Sequence, residues 1–460
     1  QCLVGSEMCI RDSLYTQYWP ISESTFATDN PYWTAFRNTT PSKKDRYMFN
    51  VGLTYNILDW LNVTARYRLD DANIEYESKV YASTNPIFTE GSTKGLYEWN
   101  NYRDRQEYAD AMININKQFG DFNLSANIGY SYSNYWARTK GYRGPLKLVP
   151  NLFSFGNIDA SGARSIEDGG NSPVRNNALF ANVELGWKSM LYLTLTGRND
   201  WNSRLVNTQE ESFFYPSVGL SAIISQMVNL PDWFSYLKVR GSYTEVGAPV
   251  SRSGLTPGTI TIPIVGGILQ ETGIYPFSDF KAERTRSYEF GLEMRLWNNL
   301  RAQVTYYKSN TYNQTFLGEL PEYSGYKQIY LQAGNVENRG WEASIGYKKR
   351  IRDFSVSSTL TFSRNVNDIR EMVHDYHTDM SLEPINIPEV LKDNGRTILR
   401  EGGSINDIYA TTFLKKDSQG FVEIGSDGTF AVEAGEPVYL GKTTPDFTLG
   451  WNNVFAYKGF

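Results

Sequence analysis

Between Arg286 and Leu296 the chain reads RSYEFGLEMRL. Tyr288, Phe290, Leu292, Met294 and Leu296 alternate with Ser287, Glu289, Gly291, Glu293 and Arg295. A period of two is a strand with one apolar and one polar face. After Trp297-Asn298-Asn299 the pattern resumes: Leu300, Ala302, Val304 and Tyr306 are opposed by Arg301, Gln303, Thr305 and Tyr307. The same paired alternation returns in NALFANVELGW with LYLTLTGRND, in ADAMININK with FNLSANIGYSY, and in GWEASIGYKK with FSVSSTLTFS. The spacing predicts about thirteen strands of roughly ten residues each.

The links alternate too. Short turns are expected at Asn56–Trp60, Gln118–Asp121, Lys188–Met190, Trp297–Asn299 and Arg350–Asp353. Long polar loops are expected at about 72–107, 134–176, 245–285, 310–338 and 365–444, longer than a compact soluble domain usually carries. One-faced strands with alternating short and long links point to an all-β, antiparallel transmembrane β-barrel. Hydrocarbon supplies no hydrogen bonds, so a spanning sheet must pair its own backbone and close on itself. Trp187, Trp201, Trp297, Tyr347 and Trp451 lie near strand ends, where interfacial girdles form. The short turns would face the periplasm and the long loops the exterior. An odd strand count does not close a single-chain barrel neatly, so 14–460 reads as an incomplete barrel. A soluble β-sandwich or surface adhesin is the bland alternative.

Composition and the chain start add further points. Aromatics make up 15%, with 32 Tyr, 24 Phe and 11 Trp, yet the mean hydropathy is -0.46. No apolar run reaches the roughly 18 residues of a transmembrane helix. A net charge of -5 argues against a nucleic-acid partner. No signal peptide is visible, so either the protein is not exported or its start is missing. The two cysteines, Cys2 and Cys9, sit in QCLVGSEMCIRDS. A disulfide, a metal half-site and a lipid anchor are the conventional readings. MCIRDS also resembles the translation of a transposase-end sequencing adapter. Residues 1–13 therefore read as a non-native artefact, expected to be unpacked, and the remainder has no cysteine.

Candidate chemistry is sparse. His374 and His377 lie near Glu371, Asp375 and Asp379 and are weak metal candidates beside a solvated loop. No nucleophile elbow accompanies them, no catalytic set emerges, and no cofactor is implied. Arg198, Lys238, Arg240, Glu289, Glu293, Arg295 and Glu342 fall on polar faces, where they could line a substrate path, contact a plug or pair with one another. The better candidates for ligand contact are aromatics in the expected loops: Tyr97, Trp99, Tyr135, Trp136, Tyr323, Tyr326 and Tyr330. Sugar rings present C–H faces that stack on such side chains. Girdle or loop packing is the structural alternative for each.

Several stretches resemble one family, the SusC/RagA-type TonB-dependent transporters. They are LTLTGRNDWNSRL with FFYPSVGLSAIIS, YLKVRGSYTEVG, FKAERTRSYEFGLEMRLWNNLRAQVTYYKSNT, QAGNVENRGWEASIGYKKRI, REGGSINDIYATTF and YLGKTTPDFTLGWNNVFAYKGF. Ser404, Asn406 and Ala410 depart from the family's loop pattern. The resemblance covers roughly residues 46–460. It implies a 22-stranded barrel with a plug in a Gram-negative outer membrane. It also implies import driven through the TonB complex by an N-terminal segment this chain lacks, and a SusD-like surface lipoprotein that helps capture oligosaccharides or peptides. The chain shows no TonB box, plug or final strands. A passive porin and a barrel enzyme remain the competing classes.

Overall fold

The computed structural model describes residues 30–159, 165–170, 173–206, 208, 210–249, 264–265, 268–269, 272–275, 281–319, 326–372, 375–376, 385–386, 391–393, 397–426 and 428–458. The 1–13 segment with Cys2 and Cys9, and also Tyr323, His374 and His377, lie outside them. No helix among the described residues is long and apolar enough to cross a membrane, which says nothing of strands.

Thirteen strands form one hydrogen-bonded path. They are β1 (Ser42–Leu58), β2 (Leu61–Tyr81), β3 (Gly95–Phe119), β4 (Phe122–Pro145), β5 (Val174–Trp187), β6 (Leu191–Asn202), β7 (Ser212–Ile223), β8 (Phe234–Ala248), β9 (Glu283–Leu296), β10 (Leu300–Glu319), β11 (Tyr326–Ile351) and β12 (Phe354–Glu371), closed off by Thr448–Tyr457. Of the strands between β12 and that last one, the two longest are β13 (Asp407–Leu414) and β14 (Val432–Lys442), and Thr448–Tyr457 is β15. β13 and β14 belong to a separate small sheet. In the main path each strand neighbours the next in sequence and β12 neighbours β15, as an up-and-down barrel requires.

The short turns fall where alternation places them, and their backbones suit tight hairpins. Lys188 and Ser189 (φ 50° and 55°) and Trp297 and Asn298 (φ 48° and 58°) are left-handed, as turns matched to strand twist demand.

The strands are far longer than the ten residues the alternation suggests. β2 has 21 residues, β3 has 25, β4 has 24, β10 has 20 and β11 has 26. Much of 72–107, 134–176 and 310–338 is therefore strand rather than loop. Alternation records contact with hydrocarbon, and it fades where both faces meet polar surroundings while the backbone ladder continues. Cross-strand charges take over there: Arg103 holds Asp71 at 2.7 Å, and Arg66 holds the buried Asp110 at 3.0 Å.

The contacts divide the chain into two compact units. One comprises Gln1–Leu53, Ala65–Ala111 and Ser131–Asn176. Its core is Tyr97, Leu146 and Ile158, flanked by Trp99, Tyr142 and Phe153. The other comprises Thr54–Thr64, Met112–Tyr130 and Asn177–Phe460. In this second unit the strand register lines up one apolar face. Leu237, Val239 and Tyr243 of β8 neighbour Met294, Leu292 and Tyr288 of β9. Leu292, Met294 and Phe290 neighbour Val304, Ala302 and Tyr306 of β10, which face Ala343, Ile345 and Trp341 of β11. Leu360 and Phe362 of β12 meet Trp451 and Leu449 of β15. These side chains cover no protein core: Phe290 is 60% and Trp451 73% exposed, as a lipid-facing band must be when seen without lipid. The opposite, inward face carries Lys238, Arg240, Glu289, Glu293, Gln303, Thr305, Glu342 and Ser344.

Gly340, from the motif stretch NVENRGWE, has a specific steric reason. A Cβ there would come 2.3 Å from the Arg364 carbonyl oxygen and 2.6 Å from Tyr307 Oη. Tyr307 lies across this gap and donates to Asn365 Oδ1 at 3.1 Å. Gly340→Val is expected to displace both the Tyr307 ring and the Arg364 carbonyl at a cost of about 3 kcal/mol or more, read as a lower denaturation midpoint of the purified barrel.

Candidate functional site

Along the extracellular half of β12, period two places Ser363, Asn365 and Asn367 on the inward face. Across β11 their partners are Glu342, Gly340 and Asn338. Asn338 Oδ1 accepts from Asn365 Nδ2 at 3.1 Å and from Asn367 Nδ2 at 3.0 Å. With Tyr307 this makes a chain of side-chain hydrogen bonds over three strands. Its amides orient one another.

The segment Gly402–Asp407 docks on this row. Gly402 N donates to Ile369 O and Ile369 N to Gly403 O, both at 2.8 Å. Gly402 itself is left-handed at φ 75°. Asn367 Oδ1 accepts from Ser404 Oγ at 2.9 Å and from Ile405 N at 3.0 Å. Ser404 N donates to Asp407 Oδ2 at 2.8 Å. Ser404, one of the departures from the family pattern, is thus the residue that ties this segment to the asparagine row. Asn406, another, accepts Thr443 N on its carbonyl at 2.9 Å.

Together these elements wall a cavity of about 380 Å³, lined by Ser363, Asn365, Asn367, Ser404, Asp407, Tyr439, Lys442 and Thr448 among others. A second cavity of about 260 Å³ is lined by Gln303, Thr305, Glu342, Ser344 and Thr361. Ser363 and Thr448 line both, so the two form one polar track down the inward wall. Ser363 Oγ and Thr448 Oγ1 lie 2.6 Å apart at the junction. Tyr439 packs edge-on against Tyr409, whose phenol burial pushes up. A hydrogen bond to Asp446 pushes Lys442 up and holds the Asp446 carboxyl below its ordinary value. Hydroxyls and amides predominate, with Lys442, the carboxylates of Asp407 and Glu342, and the rings of Tyr439, Phe447 and Phe362, a lining that suits a polyhydroxylated or amide-bearing ligand.

The chain as a whole matches the family model described as "TonB dependent receptor-like, beta-barrel" over residues 11–452. It belongs to the TonB-dependent receptor-like β-barrel family. Its relatives include TonB-dependent receptor P3 of Formosa agariphila, 26% identical over 94% of this chain and 45% of that receptor. TonB-dependent receptor P26 of the same organism is 26% identical over 61% of this chain and 30% of that receptor. The chain therefore spans less than half the length of these relatives. Among solved structures, the RagAB peptide transporter shares the fold with a TM-score of 0.72 at 18% identity, over 96% of this chain and 49% of that one. The RagAB peptide importer in its open-open state gives 0.70 at 18% identity over 96% of this chain and 48% of that one. The SusC/RagA-type resemblance is thus borne out, and the receptor barrel resides in a Gram-negative outer membrane.

In this TonB-dependent receptor barrel the aromatic candidates separate. Tyr97 is buried, and its hydroxyl donates to Glu77 Oε1 at 2.9 Å. Trp99 stacks on Tyr142 at 5.5 Å and donates from Nε1 to Glu75 Oε1 at 2.7 Å. Both serve the aromatic core of the first unit. Tyr135 is exposed, with its hydroxyl 3.4 Å from Asp104 Oδ1, and Trp136 is half-buried. Tyr326 and Tyr330 lie in β11, with side chains outside the described residues. Of the inward charges, Arg240 binds Glu289 Oε1 at 2.9 Å and Thr305 Oγ1 at 3.1 Å, and Arg198 binds Asp200 at 2.8 Å. The asparagine row was not singled out by sequence reasoning. Its signal was the alternation SRNVN, in which Ser363, Asn365 and Asn367 share a face.

Proposed function

We propose that this barrel is part of an outer-membrane, TonB-dependent importer of oligosaccharides. In this reading it works with a SusD-like surface lipoprotein, takes its energy through the TonB complex, and performs no catalysis. The reading is carried by the polar track of Asn365, Asn367, Ser363 and Thr448 with Tyr439 on its wall, because fixed amides and an aromatic face suit sugar hydroxyls and C–H faces. The exposed Tyr135 and the half-buried Trp136 are further candidate contacts, beside Tyr323, Tyr326 and Tyr330. A peptide substrate is the second reading, favoured by the fold shared with the RagAB peptide transporter.

Asn365→Ala with Asn367→Ala is expected to weaken oligosaccharide binding about tenfold, from two lost hydrogen bonds at about 0.5–1.5 kcal/mol each. Calorimetric titration of the intact receptor complex with glycan and peptide panels checks it. Binding of peptides alone would replace the carbohydrate reading, and binding of neither would remove both. Uptake that persists when the proton-motive force is collapsed would show a passive pore instead.

A further inference from the structure

We propose that the outward face of β10–β12, just above the aromatic belt, binds the phosphate groups of the outer-leaflet glycolipid. Tyr306 and Trp341 end the apolar band here, with ring centres 4.8 Å apart. The next outward position of each strand is a cation: Lys308 lies directly opposite Arg339 in the β10–β11 register. Arg364 lies opposite Trp341 on β12, and Arg370 sits further up the same strand. At about 3.4 Å per residue, Lys308 and Arg339 stand about 7 Å beyond the belt, at headgroup level.

The cations are organised from beneath. Glu337 has a side chain only 4% exposed and holds Arg370 at 2.8 Å, Lys308 at 3.0 Å and Arg339 at 3.6 Å. Those three remain 40–47% exposed. Asp368 is also drawn in, 3.2 Å from Arg370. Three cations thus face two carboxylates, the better buried one lying underneath, while Arg364 stands nearer the belt beside the Lys442–Asp446 pair. A stabilising ion pair needs one cation per carboxylate, and like charges directly across a strand pair are unfavourable. The arrangement is completed by an external anion. Guanidinium and ammonium groups fixed in a row suit phosphate oxygens, and acyl chains of the same lipid would lie on Tyr306 and Trp341.

The test compares the receptor purified from its own outer membrane with a Lys308→Ala, Arg339→Ala, Arg364→Ala variant. Arg370 is kept so that Glu337 retains a partner. Heat-modifiable mobility verifies the fold, and mass spectrometry reads lipid A retained after detergent exchange. Retention is expected to fall on the order of a hundredfold, and binding of wild type to lipid A is expected to exceed that to dephosphorylated lipid A. Should the triple variant not fold, Lys308→Gln and Arg364→Gln singly are each expected to lose roughly fivefold. Equal retention by wild type and variants would overturn the proposal. So would equal binding of dephosphorylated lipid, or inorganic phosphate binding as tightly as the lipid.

Discussion

Leu292→Arg is expected to destabilise the barrel by about 2–4 kcal/mol, the range for a cation on a lipid-facing strand near the bilayer midplane. Leu292 lies centrally in the apolar face of β9, between Val239 of β8 and Val304 of β10. An arginine there has neither water nor a carboxylate within reach, and snorkelling is longest from mid-strand. The control is Gln303→Arg, one pleat away on the inward face, where Glu293 lies directly opposite in the register. The inward substitution is expected to change stability by less than about 0.5 kcal/mol. Urea unfolding in lipid vesicles, followed by heat-modifiable mobility, measures both. Equal effects of the two would contradict the assignment of faces.

Phe213→Ala is expected to cost about 3–5 kcal/mol. Phe213 is 2% exposed, stacks on Tyr215 with ring centres 5.9 Å apart, and fills the space left by Gly247 of β8. A Cβ on Gly247 would come 2.4 Å from Phe213 Cδ2, so ring and glycine form one packed unit. Neighbouring Phe214 points to the other face, 54% exposed, and lies over Gly197. Phe214→Ala is expected to cost less than about half as much, because lipid or detergent refills its place. Denaturation midpoints of the two variants in one detergent separate the cases, and similar losses would refute the difference in burial.

Much of this was legible in the residues themselves. Alternation marked the strands and their faces, and Lys188–Met190 and Trp297–Asn299 stood out as turns because Lys188-Ser189 and Asn298-Asn299 break the period-two run. Strand length was misread at β2–β4, β10 and β11, since the period-two signal comes from lipid and stops at its edge. The candidate aromatics were chosen from segments read as loops. Tyr97 and Trp99 lie instead in β3, committed to Glu77, Glu75 and Tyr142. The asparagine row went unremarked because Asn365 and Asn367 resemble any polar strand face until Asn338 and Tyr307 are set beside them.

The sequence by itself determined the class of fold and the direction each strand residue faces, because hydrocarbon imposes a period of two on every strand that crosses it. Only the tertiary structure decided which residues act together. The cation row of Lys308 and Arg339 over Glu337, the asparagine row over Gly340, and the docking of Ser404 on Asn367 all depend on register between strands. Register is set by pairing across the sheet, and local alternation does not contain it.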